Sequence, residues 1–242
     1  MRYFITLSYD GTRFHGWQIQ PNGTSVQEEL QQALSLLLRQ DIAVTGAGRT
    51  DAGVHASMMV AHFDFDAEID CKQLVYKLNR LLRQDIAVQK VEKVHDDMHA
   101  RFSAKERTYH YYIHTEKSPF LRHYSCELHY SLDFKLMNQA ANILMEYNDF
   151  CAFCKSHADV KTTICQLKRA EWVRVGDKQW RLEITANRFL RNMVRAVVGT
   201  LIEVGRGRLS LDDFRKVVEG KHRSDAGESM PAHALFLVDV SY

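Results

Sequence analysis

The sequence predicts an α/β fold of the α+β kind, with two ferredoxin-like β-α-β-β-α-β halves, antiparallel sheets and a central cleft. Three observations predict it. Segments in which apolar residues alternate with a period of two are interleaved with segments of helical period. Their order over the first hundred residues is β-α-β-β-α-β, the split β-α-β arrangement. The order then recurs over the rest of the chain, without any repeat of individual residues. A chain of 242 residues with 45% hydrophobic residues is long enough to bury cores for both halves. Only 3 prolines and 12 glycines leave little room for disordered linkers.

Each element has its own signal. Arg2 to Asp10 reads as a strand with Tyr3, Ile5, Leu7 and Tyr9 on one face, and Asp10-Gly11 ends it. Ser25-Val26-Gln27-Glu28 is a capping box. It opens a helix to about Arg39 with Val26, Leu30, Leu34 and Leu37 aligned. Ile42–Thr45 and Met58–Phe65 follow as strands. Asp70 starts a helix reaching about Arg83, with Leu74, Leu78 and Leu81 inward. Ile86–Val94 is the fourth strand, with Ile86, Val88, Val91 and Val94 expected in the core. In the second half, Tyr109–His114 is a strand, Phe134–Glu146 a helix, and Leu167–Val175 and Trp180–Ala186 are strands. Leu190–Val204 is a helix, Leu211–Val218 an added one, and Leu235–Val240 the last strand. The expected domains are residues 1–100 and 101–242, joined near Asp96–Lys105.

Composition narrows the function classes. No run approaches the roughly 20 apolar residues of a membrane span. The opening residues Met1–Leu7 read as a strand and lack a signal-peptide core, so a cytoplasmic protein is expected. Five cysteines, at 71, 126, 151, 154 and 165, show no disulfide spacing and fit a reducing compartment. Cys151-Ala-Phe-Cys154, with His157 and Cys165 after it, has the outline of a zinc site. No second C-x-x-C completes a tetrad, and the cysteines read as small fillers beside Phe150 and Phe153, so no metal is expected. The net charge of +2 is uneven: residues 181–223 hold ten Lys/Arg against five Asp/Glu, and 101–124 hold five against two. Such surfaces suit a polyanion such as nucleic acid, and equally suit solvated helix faces.

Three segments carry chemistry. The loop Gly46-Ala47-Gly48-Arg49-Thr50-Asp51-Ala52-Gly53-Val54-His55-Ala56 packs a cation, a hydroxyl, a carboxylate and an imidazole between glycines. One reading is a hairpin turn with Asp51 capping its own backbone. The other is a reactive carboxylate, since a neighbouring guanidinium favours the ionised form, which is a nucleophile or base. Lys105-Glu106-Arg107-Thr108-Tyr109-His110-Tyr111-Tyr112 runs basic residues into aromatic ones. Such a strand either packs its rings in a core or offers them to bases and its cations to phosphates. The helix after Asn187-Arg188-Phe189 has a broad apolar face with Arg191 and Arg195 at its border. A border arginine either snorkels over the core edge or meets a carboxylate or phosphate.

At these segments the sequence resembles the tRNA pseudouridine synthase A family, over almost the whole chain. Gly48 to Ala56 is similar to its catalytic motif, Lys105 to Tyr111 to its tyrosine motif, and Phe189 through Arg195 to Gly199 to its arginine helix. Tyr9-Asp10-Gly11, Phe14-His15-Gly16-Trp17-Gln18, Ser25-Val26-Gln27 and Asn148-Asp149-Phe150 also match. The resemblance implies isomerisation of uridine to pseudouridine in the anticodon arm of tRNA, at positions 38 to 40, without a cofactor, by a homodimer. It implies Asp51 as nucleophile, Tyr109 stacked on the target base, and Arg195 paired with the aspartate. Arg49 would help disrupt the base pair, and Lys105, Arg107, Arg191, Gln18 and His55 would bind substrate. Two stretches depart from the pattern. Ser57-Met58-Met59 stands where the family has a small residue, Gly and Gln. Ser229-Met230-Pro231-Ala232-His233-Ala234-Leu235 stands where it has Thr, Ala-Pro and Gly-Leu. A synthase with a shifted tRNA target, or a catalytically silent RNA-binding paralogue, are the rival readings. A glycosidic-bond hydrolase needs two carboxylates about the sugar, and only Asp51 lies in a suitable loop.

Overall fold

The computed structural model describes residues 1–155 and 160–242. It is a mixed α/β structure that divides into two compact units, Met1–Lys105 with Phe236–Tyr242, and Glu106–Leu235.

In the first unit, β1 (Arg2–Tyr9) runs antiparallel to both β3 (His55–Asp64) and β4 (Ile86–Val94), and β2 (Thr45–Gly46) runs antiparallel to β3. The strand order is therefore β4-β1-β3-β2. Each helical crossover returns the chain parallel to its starting strand with one strand between, which is the split β-α-β order. Tyr3, Ile5 and Leu7 lie directly opposite Phe63, Ala61 and Met59, and all six are buried. Leu30 and Leu34 of α1 (Val26–Leu38), with Leu74 and Leu78 of α2 (Cys71–Leu81), complete this core. Ser25 and Asp70 cap these helices by accepting from the N–H groups of Glu28 (3.2 Å) and Gln73 (3.0 Å).

Three sequence expectations need correction in this unit. The second strand is Thr45–Gly46 alone, because Val44 bonds its N–H and carbonyl to Gln31 and Gln27 of α1 instead. Leu81 is exposed, since α2 stops there and Leu82 is already extended. In β4, Ile86, Val88 and Val91 are buried as expected while Val94 at the strand end is only half-buried, and the change of face between Val88 and Val91 follows a register slip against β1 between Leu7 and Thr6. The extra residue turns the other face inward.

In the second unit, β5 (Glu106–His114) and β7 (Leu167–Gly176) both run antiparallel to β8 (Gln179–Ala186), which lies between them. The short β6 (Cys126–Glu127) adds parallel to β5. Tyr111, Ile113, Leu182, Ile184, Ala170 and Trp172 form the buried face of this sheet. Against it stand α3 (Phe134–Leu144) and α4 (Met193–Gly205), with α5 (Leu211–Gly220) beside them. The helix expected from Leu190 begins at Met193 instead. Asn192 takes the left-handed conformation (φ 68°), so Leu190 and Arg191 form a turn ahead of it. The last strand, β9 (Leu235–Ser241), was expected to close the second half. Its residues from Phe236 onward belong to the first unit, where Phe236 and Leu237 pair parallel with His55 and Ala56. Among the described residues no helix is long and apolar enough to cross a membrane.

Candidate active site

The loop between β2 and β3 is held from several sides, and its anchors come from the segment after β1. Val54 N–H donates to the Asp51 carbonyl (3.1 Å), closing a turn around Ala52-Gly53. Gly53 N–H donates to the Phe14 carbonyl (3.2 Å), and Trp17 N–H donates to the Thr50 carbonyl (3.3 Å). Thr50 is buried, and its hydroxyl shares a 2.8 Å hydrogen bond with the Tyr9 hydroxyl. Gly16 shows why the match after β1 contains a glycine. Its φ is +90°, and a Cβ there would sit 2.3 Å from the Thr50 carbonyl oxygen. The carboxylate of Asp51 is thus carried on a backbone fixed on both flanks, half-buried, with Arg49 exposed two residues before it. A fixed, partly accessible carboxylate is the arrangement that nucleophilic catalysis needs.

His55 serves the loop from inside. It is 1% exposed, and its ring stacks on Phe236 at 4.5 Å. Nδ1 lies 3.0 Å from Gly11 N and 3.1 Å from an Asp10 carboxylate oxygen. The sequence reading places His55 among the substrate-binding residues; here it is buried against Phe236 and beside Gly11 and Asp10. Asp10, Tyr9 and Thr50 were not singled out as site residues. Their signals in the sequence are the Tyr9-Asp10-Gly11 segment and the hydroxyl of the glycine-rich loop. Gln18 is half-buried beside these anchors, and Lys105 is exposed, its backbone N–H donating to the Ser241 carbonyl (2.9 Å).

In the second unit, Tyr109 and Tyr111 share one face of β5 with different fates. Tyr111 is fully buried and donates to the Pro231 carbonyl (3.0 Å), and burial pushes its phenol pKa up. Tyr109 is half-buried and meets the Phe189 ring edge-on at 5.1 Å and 84°. Arg107 donates to the Asn187 carbonyl (2.8 Å), tying β5 to the turn before α4. Arg195 stands in the first turn of α4, half-buried. Its Nε donates to the Met230 carbonyl (2.5 Å), and its own carbonyl accepts from Met230 N–H (3.2 Å). The departing segment Ser229-Met230-Pro231 is therefore gripped by Arg195 and Tyr111 together. Gly199 lets it come close: a Cβ there would sit 1.9 Å from the Glu228 carbonyl oxygen. Arg191 is exposed in the turn ahead of α4.

Cys154 and Cys165 are buried thiols whose pKa burial raises, that of Cys165 to about 11. Among the described residues no group of three or more His, Cys, Asp or Glu is placed to hold a metal ion. His157 lies outside the described residues.

The model of the tRNA pseudouridine synthase family matches residues 5–103 and 140–242. This chain belongs to that family. The tRNA pseudouridine synthase A of Bacteroides fragilis is 60% identical over 242 residues, covering 100% of this chain and 96% of that protein. That of Bacillus subtilis is 41% identical over 246 residues, covering 100% of this chain and 99% of that protein. The chain is thus an RNA pseudouridine synthase, an isomerase that modifies tRNA. In this synthase Gln18, Arg49, Asp51 and His55 fall in the first matched stretch, Arg191 and Arg195 in the second, and Lys105, Arg107 and Tyr109 between the two.

Proposed function

We propose that this synthase isomerises uridines of the tRNA anticodon arm, at positions 38 to 40, with Asp51 as the nucleophile. The observation that carries the reading is the Asp51 loop: an unbroken match to the catalytic motif, on a backbone anchored by Phe14, Trp17 and Tyr9. A base inside a stem is out of reach, so the uridine is flipped out first, and Arg49 helps disrupt its pair. The Asp51 carboxylate attacks the nucleoside and the N1–C1′ bond breaks. The uracil turns, C5 bonds to C1′ as the bond to Asp51 is released and the carboxylate regenerated, and the C5 proton leaves as N1 takes one up. Tyr109 stacks on the ring, and its half-exposed position suits that role while buried Tyr111 serves packing. Arg195 supplies the cation that holds the nucleophile ionised. Lys105, Arg107 and Arg191 meet phosphates, Gln18 contacts the substrate, and His55 positions the loop. No cofactor enters this chemistry. The working form is a cytoplasmic homodimer with the tRNA lying across both subunits.

The test is tritium release from [5-³H]uridine tRNA, with Asp51→Asn as its control. Pseudouridine formation displaces the C5 hydrogen, whereas hydrolysis need not. The amide keeps the size and hydrogen-bonding of the carboxylate and loses the anion. Turnover is expected to fall by about 10⁴ or more while tRNA binding persists. A substantial residual turnover in a preparation free of host enzyme sinks the role of Asp51. Mapping the product to positions outside the anticodon arm sinks the target.

A further inference from the structure

The loop after β5 has no part in the site described above, yet it is shaped for contact. Phe120 stands 88% exposed at its crest, more than any other large apolar side chain among the described residues. A single exposed apolar side chain is ordinary on a protein surface. This one sits in a loop that is built rather than slack. Tyr124 and Ser125 both donate to the Leu121 carbonyl at 2.9 Å, and Leu121 donates to the Ser118 carbonyl at 3.4 Å. The Arg122 guanidinium donates to the Pro119 carbonyl (3.2 Å) and to His123 Nε2 (2.8 Å). Buried His114 fastens the far end through Ser125 Oγ (2.9 Å). Proline before Phe120 further restricts the backbone.

The charged side chains within the loop have one sign. Lys117 and Arg122 are exposed, and no aspartate or glutamate occurs between Glu116 and Glu127 in the sequence. Glu116 itself is paired with Lys178. An exposed aromatic ring on a hydrogen-bonded loop, with Lys117 and Arg122 beside it in the chain, is the kind of platform on which unpaired bases stack while the neighbouring backbone is neutralised.

We propose that the 117–124 loop is a second RNA-contacting element, in which Phe120 stacks on an unpaired base of the tRNA and Lys117 and Arg122 meet the phosphates beside it. The proposal rests on the reading of the chain as a tRNA-modifying enzyme. A stack of ordinary strength sets the size of the effect.

The experiment compares the full-length chain with Phe120→Ala, Phe120→Trp and the pair Lys117→Gln/Arg122→Gln, using an unmodified tRNA transcript. Phe120 touches little of the fold, so the melting temperatures of its variants should match that of the parent. Phe120→Ala is expected to weaken tRNA binding about tenfold and to raise KM in step, with kcat within about twofold. Phe120→Trp should restore the affinity. The charge pair should lower the slope of log K against log salt by roughly one to two. Unchanged affinity in Phe120→Ala overturns the proposal. So does a shift of that variant to a lighter species in sedimentation, which would make the loop a contact between two copies. Tritium release by the parent is measured alongside. Binding without release overturns the isomerase reading alone; normal release with unaltered Phe120→Ala binding overturns the loop alone.

Discussion

Arg195 illustrates what one side chain does that its nearest chemical relative cannot. Its Nε is committed to the Met230 carbonyl, so the guanidinium is already oriented for the role proposed for it. A lysine has one nitrogen, and cannot hold that carbonyl while presenting a planar fork to a carboxylate. Arg195→Lys is therefore expected to lower kcat at least about tenfold, ~1.4 kcal/mol in barrier, with tRNA affinity changing much less. Near-normal kcat would remove Arg195 from the chemistry. The sequence located this arginine by its border position on the helix. It gave no sign of Met230, because a backbone carbonyl carries no residue signature. His55 is the converse case. Its place in a motif puts it in the substrate-binding set, and the structure adds a packing load that the motif does not show, the ring stacked on Phe236.

At the scale of elements, caps and periods were legible and partnerships were not. Ser25 and Asp70 stood out as helix starts, and β4 begins and ends where its residues indicate. The start of α4 was missed because Asn192 turns left-handed within an apolar run that reads as helix throughout. No residue-level repeat was visible between the halves, but the two units share a device. Asn79 of α2 donates to the Val88 carbonyl (2.8 Å) and accepts from its N–H (2.7 Å). Asn138 of α3 does the same for Trp172, at 3.1 and 2.7 Å. Each clamp satisfies strand backbone groups that the neighbouring ladder leaves unpaired, which is where sheets are otherwise open to wrong partners. Asn79→Ala and Asn138→Ala should each cost about 2 kcal/mol, because both the N–H and the carbonyl lose their partner. Stability losses in urea titrations of less than a quarter of that would assign the clamps to geometry rather than stability.

The molecule as a whole should be less stable in acid, and His62 is one source. It is 6% exposed, Nδ1 accepts from Ala100 N–H (3.1 Å), and its ring meets His99 at 4.5 Å. Burial first, then Arg2 and His99, push its pKa down to about 4, with Asp64 acting the other way. The unfolded chain binds the proton near pH 6.5 and the folded one only near 4, so this contribution falls as pH drops through that window. The loss is on the order of 2–3 kcal/mol at the acid end. Glutamine can accept the same N–H without titrating. His62→Gln should therefore lose less stability than the parent between pH 7 and pH 4.5 in urea titrations, and an equal loss would clear His62 of the effect.

The pairing of β9 with β3 gives the chain a particular history during synthesis. Strand β3 leaves the ribosome early, and its partners Phe236 and Leu237 arrive only after all of the second unit has been made. Ser241, which accepts from Lys105, comes later still. The N-terminal unit thus reaches its full set of strand pairings only after the inserted unit has been made. Nascent chains halted before Phe236 should be cut readily by protease within residues 1–105 and protected within the inserted unit, whereas released full-length chains should resist in both. Equal resistance of residues 1–105 in halted and released chains would show that β9 is a late ornament on a unit already finished.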